Sequence, residues 1–308
     1  MKKKKLSIII PVFNNSDTLY QLYYALIKIL KKIHTIDYKI IFVDDGSTDD
    51  SINILRKLSK INKKICLVIL SKNFGQPAAV EAGIKQLNCD YACIIDADLQ
   101  DPPKIILDMY KYIQKFDIII AARNNFAGSI IRKIFSYLTY LIVRQSNPEV
   151  PKYGFNSIMF KKNVIIKLKE FTKGYINLEI YKIGFKKKII YYTRKERKTS
   201  KSQYNISKLI ETFLNYCHAA MYKFFKKILF FSLIIFILST LNIIFIIYQH
   251  FFFDLPMIKG VRTLASYILF FGSFNLFLIS LIGTNISKLI ENSQKSKNYY
   301  VEEIINKS

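Results

Sequence analysis

Short continuous apolar runs alternate with amphipathic stretches through the first 121 residues of the chain. Apolar runs rich in isoleucine and valine are typical of the buried strands of a parallel sheet, and they occur at residues 6–12, 38–43, 65–70, 91–95 and 117–121. The stretches between them have the periodicity of helices, at residues 17–33, 49–61, 77–87 and 103–115. This alternation predicts an α/β domain with an open, mostly parallel sheet, to which residues 157–160 return as a further strand.

Polar residues cluster where four of these strands end. The clusters lie at residues 10–14, 44–49, 71–76 and 94–103. In open α/β sheets, ligands bind at the carboxyl ends of the strands. We therefore expect the four clusters to form one binding site along a single edge of the sheet.

The last of these clusters, which contains DADLQDPP, has two interpretations. Residues two apart in extended backbone share a face, so Asp96 and Asp98 can direct their carboxylates towards one point. Such a pair suits a hard divalent cation that also binds the diphosphate of a nucleotide. The alternative is an acidic turn that caps the helix beginning at Pro102 and Pro103. The spacing alone leaves both interpretations open.

The apolar pattern changes in the middle of the chain. Residues 128–145 carry an apolar helical stripe with basic residues beside it. This predicts either a surface helix packed on the sheet or a helix that lies in a membrane interface. Residues 182–201 contain nine Lys and Arg against a single Glu. That density argues against a core element and favours a polybasic segment attracted to anionic lipid.

Two long apolar stretches near the C-terminus predict a membrane hairpin. Residues 228–253 carry no charged side chain and residues 261–283 form the second stretch, and each exceeds the roughly 20 residues that cross a bilayer. We expect a catalytic domain at 1–205, a juxtamembrane helix at 206–227 and a tail at 284–308. Lysines that flank the hairpin outnumber the basic residues of its loop, so the positive-inside tendency places the catalytic domain and the tail in the cytoplasm.

Composition narrows the class of partner. The 308 residues include 47 Lys and Arg against 22 Asp and Glu, and the net charge of +25 indicates nucleic acid, a membrane surface or a phosphorylated substrate. The predicted hairpin favours a membrane surface or a phosphorylated substrate over nucleic acid. The four cysteines lack a CxxC pair and fit reduced thiols of a cytosolic domain. The basic N-terminus meets Pro11 after a short apolar run without a cleavage site, so we do not expect a signal peptide.

Together, IPVFN, DDGSTD, SKNFGQ and DADLQDPP resemble the motifs of family 2 glycosyltransferases of GT-A fold, because all four occur in order on suitable elements. SKNFGQPAAVEAGI followed by DADLQDPP is similar to the branch that glycosylates polyprenyl phosphates, such as dolichol-phosphate mannose synthases and bacterial undecaprenyl-phosphate sugar transferases. The resemblance continues through RKERKTSKSQYNISKL into the second apolar stretch and the tail. It implies a GT-A (Rossmann-like) domain followed by juxtamembrane amphipathic helices and a two-helix transmembrane hairpin.

The resemblance also implies roles for individual residues. The donor nucleotide is expected to contact Pro11, Asn14, Asp44, Asp45, Gly46, Asp96, Arg197 and Ser202. A metal ion, Mg²⁺ or Mn²⁺, is expected at Asp96, Asp98 and Gln100. Transfer is expected to depend on two carboxylates and on two arginines that face the acceptor phosphate, namely Asp96, Asp98, Arg123 and Arg132. The segment with Arg197 and Ser202 matches a loop that closes over the donor diphosphate.

Several positions depart from the pattern of that family. Ser200 stands where the closing loop usually has Gly, and Gln203 stands where it often has Lys or Arg. Lys104 replaces a common Glu, and Thr284 with Asn285 replaces Glu-Tyr after the second apolar stretch. These changes put the mobility of the loop and the identity of the sugar in question, while the nucleotide and metal positions are intact.

A phosphate acceptor changes the chemistry that the site must supply. A sugar hydroxyl has to lose a proton as it attacks, whereas a phosphate monoester with a second pKa near about 6 is already largely a dianion at neutral pH. Such an acceptor needs cations and not a general base. His34, His218 and His250 all lie outside the strand-end clusters, so we expect structural roles for them.

The sequence therefore predicts an inverting, metal-dependent transferase. It would move a sugar from a nucleotide donor, with a UDP-sugar favoured over GDP-mannose, to polyprenyl (undecaprenyl) phosphate at the cytoplasmic membrane face. The oligomeric state stays open, with a homo-oligomer expected only by analogy.

Three alternatives compete with this prediction. A transferase that extends a glycan is the first, but processive synthases of that kind carry a Gln-x-x-Arg-Trp motif and this chain has no Trp. A catalytically silent lipid-binding scaffold is the second, and it gives no reason to keep Asp96 and Asp98 together. Nucleic-acid binding explains the charge but neither the hairpin nor the acidic strand ends.

Overall fold

The computed structural model describes residues 3–125, 130–171, 176–193, 206–253, 261–293 and 299–306. The chain divides into two compact units. The first comprises Met1–Tyr140, Glu149–Gln203 and Lys295–Ser308 and contains a β-sheet. The second comprises Leu141–Pro148 and Tyr204–Gln294 and contains two long helices. The C-terminal residues thus belong to the unit formed by the N-terminal half of the chain.

A single sheet organises the first unit. In chain order its strands are β1 (Lys4–Val12), β2 (Ile36–Asp44), β3 (Ile65–Leu70), β4 (Tyr91–Ile94), β5 (Ile118–Arg123), β6 (Phe155–Lys161), β7 (Lys187–Tyr192) and β8 (Val301–Ile305). Their order across the sheet is β7-β5-β6-β4-β1-β2-β3-β8. Strand β1 runs parallel to β2 and β4, β2 parallel to β3, and β5 parallel to β7, while β6 and β8 are antiparallel to their neighbours. The predicted mostly parallel α/β sheet is confirmed.

Helices connect the strands and cover the sheet. They are α1 (Ser16–Leu30), α2 (Ser51–Ile61), α3 (Gln76–Lys85), α4 (Ile105–Tyr110), α5 (Ile130–Ser146), α6 (Lys162–Phe171) and α7 (Ile176–Lys182). Strand β1 is central because both of its faces are buried: Ile8 and Ile10 belong to one apolar core and Ile9 to the other. This alternation follows from the two-residue period of a strand. Helix α4 is shorter than the predicted helix at 103–115.

Strand β7 lies inside the basic run 182–201. That run was expected to contain no core element, and no residue of β7 is fully buried, but residues 187–192 do pair in parallel with β5 at one edge of the sheet. Lys188 is exposed on this edge strand, where a lysine discourages pairing with another chain. The half-buried Ile189 and Ile190 supply apolar packing. Basic composition alone therefore does not exclude a strand. Residues 194–201 lie outside the described residues.

Strand β8 lies in the segment 284–308, for which the sequence predicts only a tail. It pairs antiparallel with β3 at the other edge of the sheet. The Arg56 guanidinium donates two hydrogen bonds to the Glu303 carboxylate, which ties β8 to helix α2. The Asn306 side chain then donates to the carbonyl oxygens of Ser59 at 2.9 Å and Ile65 at 3.1 Å. These contacts fix the end of the chain against two neighbouring elements.

The second unit is dominated by α8 (Ile206–Phe253) and α9 (Val261–Ser293). Within them, Tyr222–Gln249 and Thr263–Leu289 are long and apolar enough to cross a membrane. The Phe236 ring packs against the rings of Phe270 and Phe274, with centroids 5.0 and 5.5 Å apart, and Ser266 donates to Asn242 Oδ1 at 3.1 Å. Helix α8 continues without a break through the predicted juxtamembrane helix and the predicted first span.

We expect Gly83→Ala to lower the stability of the sheet unit. In an ordinary helix interior this change adds about 1 kcal/mol of stability. Here a Cβ on Gly83 would lie 2.5 Å from Ile9 Cγ2, where α3 meets the central strand. The overpacking should cost about 1 to 3 kcal/mol, measured as a lower free energy of unfolding.

Gly272→Ala in α9 is the control for this change, because no heavy atom of the described residues lies within 4 Å of its Cβ position. A gain in stability for Gly83→Ala would show that α3 does not approach β1 this closely.

Candidate functional site

The four predicted polar clusters meet at the carboxyl edge of the sheet. Four adjacent strands, in the order β4-β1-β2-β3, run in the same direction, so the segments that follow them emerge side by side. Hydrogen bonds between the segments, described below, hold the clusters together. The clusters therefore lie together at this edge, and their use as one binding site stays a prediction.

Asn14 joins the first cluster to the second. Its backbone is left-handed, with φ of 51°, a conformation that asparagine adopts more readily than most residues. Asn14 Oδ1 accepts a hydrogen bond from the Thr48 backbone N–H at 2.8 Å, and the Asn14 N–H donates to Ser47 Oγ at 3.0 Å. Pro11, three residues earlier on β1, is half-buried and pairs with Val43 of β2. These residues lie where the sequence predicts one wall of the nucleotide pocket.

Asp44 ends β2 and is fully buried. Its Oδ2 accepts a hydrogen bond from the Ser47 N–H at 3.0 Å, whereas its Oδ1 is buried without a hydrogen-bond partner among the described residues. Burial raises the pKa of this carboxyl above its ordinary value. Because buried acceptors nearly always have partners, the free oxygen fits a ligand that brings an N–H or O–H group, such as a nucleobase or a ribose.

Asp45 and Gly46 connect the second cluster to the third. Asp45 Oδ1 accepts from the Phe74 N–H at 2.8 Å and its Oδ2 accepts from the Gly75 N–H at 2.9 Å. Burial raises the pKa of Asp45 to about 6, although these hydrogen bonds oppose the shift. Gly46 has φ of 69°, and a Cβ there would lie 2.5 Å from the Lys72 carbonyl carbon. Asp45 therefore holds the neighbouring loop, and Gly46 leaves room for it.

Asp96 lies at the centre of the site, directly after β4. Its Oδ1 accepts a hydrogen bond from Gln76 Nε2 at 2.8 Å, and its Oδ2 accepts one from Asn156 Nδ2. Desolvation raises the pKa of Asp96 to about 6, with further contributions from the nearby carboxylates of Asp101 and Asp98. Two amide groups from different elements thus orient a carboxylate that lies among like charges.

The turn after Asp96 contains the other predicted metal ligands. Asp98 Oδ1 accepts from the Gln100 backbone N–H at 3.1 Å, and Leu99 between them is left-handed, with φ of 57°. Among the described residues, no group of three or more His, Cys, Asp or Glu is arranged to hold a metal ion. The carboxylates of Asp96 and Asp98 and the side-chain amide of Gln100 nevertheless offer hard oxygen donors. Such a set fits Mg²⁺ or Mn²⁺ that keeps water or substrate phosphate as its remaining ligands.

Arg123 supplies a buried positive group beside these carboxylates. It ends β5, and its Nε and Nη2 are buried without hydrogen-bond partners among the described residues. Burial alone would lower the pKa of the guanidinium, but Asp101, Tyr192 and Asp96 hold it above its ordinary value. A charged guanidinium with two nitrogen atoms that lack partners among the described residues is suited to bind the oxygens of a phosphate.

The structure brings together most of the predicted site residues. Those at or beside the carboxyl edge are Pro11, Asn14, Asp44, Asp45, Gly46, Asp96, Asp98, Gln100 and Arg123. Arg132 lies in helix α5, but its side chain is outside the described residues, as are Arg197 and Ser202. Their predicted roles stay predictions.

Sequence reasoning missed two residues of the site. Asn156, on strand β6, belongs to no recognised motif, and its contact with Asp96 depends on an antiparallel pairing of β6 with β4 that sequence spacing does not reveal. Tyr192, at the end of β7, helps to raise the pKa of Arg123. It lies inside the run that was interpreted only as polybasic. The aromatic and β-branched residues of that run were the available signal.

The sequence profile of Glycosyl transferase family 2 matches residues 7–229 of this chain, which covers the whole carboxyl edge of the sheet. The chain belongs to that family and is a glycosyltransferase. The predicted family resemblance is therefore confirmed.

Particular relatives cover nearly the full length of the chain. A Bacillus subtilis (strain 168) protein named CsbB is 28% identical over 311 residues, which cover 98% of this chain and 93% of that protein. An undecaprenyl-phosphate 4-deoxy-4-formamido-L-arabinose transferase of Proteus mirabilis is 24% identical over 310 residues, 99% of this chain and 95% of that protein. The structure also resembles the crystal structure of mannosyl-3-phosphoglycerate synthase from Rubrobacter xylanophilus, with a TM-score of 0.50, 12% identity and coverage of 69% and 72% of the two chains. That likeness shows the fold.

We expect Asn156→Asp to lower kcat/KM about 100-fold, because it replaces the amide that donates to Asp96 by a second carboxylate. The melting temperature should change little, since Asn156 is only half-buried. The measurement is steady-state transfer together with thermal unfolding.

The matched control is Asn53→Asp, which alters the same kind of contact, an amide donating to Asp50 at 2.8 Å, at an exposed position of α2. Equal activity of the two variants would show that Asn156 does not orient Asp96.

Proposed function

We propose that this glycosyltransferase moves one sugar from a nucleotide-sugar to polyprenyl phosphate, in bacteria undecaprenyl phosphate, with a divalent metal ion, at the cytoplasmic face of the inner membrane. The observation that carries the proposal is the buried Arg123 guanidinium. Two of its nitrogen atoms have no hydrogen-bond partner among the described residues, and it lies within the electrostatic reach of Asp96. An anion site therefore adjoins the carboxylates that suit a metal–diphosphate complex.

The donor half of the site consists of the loops after β1, β2 and β4. The unpartnered Asp44 Oδ1 would accept a hydrogen bond from the nucleoside, while Asp96, Asp98 and Gln100 would hold Mg²⁺ or Mn²⁺. Bound there, the metal ion would offset the charge that develops on the leaving nucleoside diphosphate. Gln76 and Asn156 keep the Asp96 carboxylate in one orientation, so the donor set requires little reorganisation.

The acceptor half of the site consists of Arg123 and its surroundings. A lipid phosphate is largely a dianion at neutral pH, so one of its oxygens attacks the anomeric carbon without the help of a base. As that C–O bond forms, the bond to the nucleoside diphosphate breaks on the opposite face, which converts an α-linked donor to a β-linked product. His34 is exposed in the turn between α1 and β2, before the amino end of β2, so its side chain does not supply a base within the cluster of carboxylates.

The acceptor class has support from the relatives and from the hairpin. The relative from Proteus mirabilis is named for transfer to undecaprenyl phosphate, and it aligns with nearly all of this chain. The candidate spans Tyr222–Gln249 and Thr263–Leu289 fit an enzyme whose lipid substrate stays in the bilayer. Strand β8 follows both spans in sequence and pairs with β3, which favours one side of the membrane for both flanks of the hairpin. The excess of lysine outside the hairpin favours the cytoplasm for that side.

A direct test incubates membranes that contain the full chain with labelled UDP-sugars or GDP-mannose and undecaprenyl phosphate. We expect label in the lipid extract, abolished by EDTA and restored by Mn²⁺ or Mg²⁺. Asp98→Asn should reduce the transfer rate at least about 100-fold, because it removes a charged ligand from the metal site.

Asp108→Asn, on the exposed side of α4, is the matched control and should retain full activity. Undiminished transfer in EDTA, or by Asp98→Asn, would eliminate the metal-dependent mechanism.

A second variant separates the acceptor from the donor. Arg123→Lys keeps a positive charge but loses the planar fork, so we expect the KM for undecaprenyl phosphate to rise about tenfold or more while the KM for the donor changes little. Arg144→Lys, at an exposed position of α5, is the control. A rise confined to the donor KM would place Arg123 on the nucleotide side.

A further inference from the structure

Strand β8 and the residue before it also contact the loop that follows β3. Its pairing with β3 ends at Leu70 opposite Val301 and is extended by one further hydrogen bond, from the Ser71 N–H to the Tyr300 carbonyl oxygen at 3.0 Å. Ser71 is the first residue of the loop that runs to α3. The C-terminal segment therefore holds the beginning of the loop that contains SKNFGQ.

The same segment contacts the middle and the far end of this loop. The Tyr300 ring lies 6.3 Å from the Phe74 ring, measured between centroids. Within the loop itself, Lys72 Nζ lies 5.2 Å from the centroid of the Phe74 ring. Tyr299 is 5% exposed and belongs to the same apolar core as Ala79 of α3, with Phe74 packed against that core. The loop is thus held from its start to the helix that follows it.

This loop in turn positions two carboxylates of the donor site. The N–H groups of Phe74 and Gly75 donate to the two oxygens of Asp45, and Gln76 Nε2 donates to Asp96 Oδ1. A displacement of the loop would release both contacts at once. The path from the chain end to the donor site consists of direct contacts at every step.

We propose that the C-terminal strand β8, with Tyr299 and Tyr300, is a positioning element of the donor site that acts through the loop between β3 and α3. The inference rests on the proposed nucleotide-sugar site. Because β8 follows both apolar helices in sequence, the donor site is completed only after the whole hairpin has been synthesised. A chain interrupted within the hairpin would keep its catalytic residues but bind the donor poorly.

The test compares the full chain with a chain that ends at Ser293. UDP and GDP binding is measured by calorimetry, transfer kinetics by lipid-extractable label, and stability by thermal unfolding. We expect the shorter chain to bind the nucleotide about tenfold more weakly and to show a similar rise in donor KM. The KM for undecaprenyl phosphate should change little, because Arg123 is held by β5 and not by the loop.

A peptide with the sequence of residues 299–306 provides a rescue. Added at about 1 mM to the shorter chain, it should pair with the free edge of β3 and lower the donor KM again, while a scrambled peptide should not. An unchanged donor KM in the shorter chain, or a peptide that raises the melting temperature without lowering the donor KM, would overturn the proposal.

A point variant tests the same proposal if the shorter chain does not fold. Tyr300 is 71% exposed, so Tyr300→Ala should leave the melting temperature unchanged but raise the donor KM about threefold through loss of the ring contact. Tyr300→Phe should behave as the native chain, as should Glu302→Gln at an exposed position of β8. An unchanged donor KM in Tyr300→Ala would refute the proposal.

These outcomes are distinct from failure of the proposed function. That failure would appear in the full chain itself, as no lipid-extractable label and no binding of UDP or GDP.

Discussion

The carboxylate of Asp96 is the group on which the organisation of this site depends. It is desolvated, it lies near Asp98 and Asp101, and its pKa is accordingly raised to about 6. Such a cluster costs free energy unless hydrogen bonds or cations offset the repulsion. The protein provides two amide donors, Gln76 and Asn156, and one guanidinium, Arg123. Each comes from a different part of the chain, so the sheet has to be assembled before the cluster is stabilised.

The loops around this group are fixed mainly by side chains that bind backbone. Asp45 accepts from two consecutive N–H groups, Asn14 accepts from Thr48, and Ser47 Oγ accepts from the Asn14 N–H. Buried backbone groups outside helices and strands need such partners, because leaving one unsatisfied costs roughly 1 to 3 kcal/mol. The polar motifs at the strand ends therefore have two tasks. Some members, such as Asp45, hold loops, and others, such as Asp44, have an oxygen without a partner among the described residues, which we propose for the donor nucleotide.

The sequence predicted the sheet and the meeting of the polar clusters at its carboxyl edge because both depend on local signals. The run at 65–70 matches β3 at both ends, and the strand-end clusters lie where parallel strands must bring them. Contacts between antiparallel strands were not predictable in this way. Asn156 meets Asp96 only because β6 pairs with β4, and β8 pairs with β3 across more than 230 residues of sequence. The different contacts of Asp44 and Asp45 could be seen only in the structure, since two adjacent aspartates are equivalent in a sequence motif.

The balance of charge indicates what else a working site needs. Among the described residues, the cluster of Asp96, Asp98 and Asp101 outnumbers the single guanidinium of Arg123. A divalent cation would offset this excess, but the donor diphosphate and the acceptor phosphate both bring further negative charge. Additional cations must therefore approach when both substrates are bound. The predicted roles of Arg132 and Arg197 would meet this requirement. The proposed transfer between two anions thus gives an electrostatic reason, besides the resemblance of motifs, for the predicted roles of these arginines.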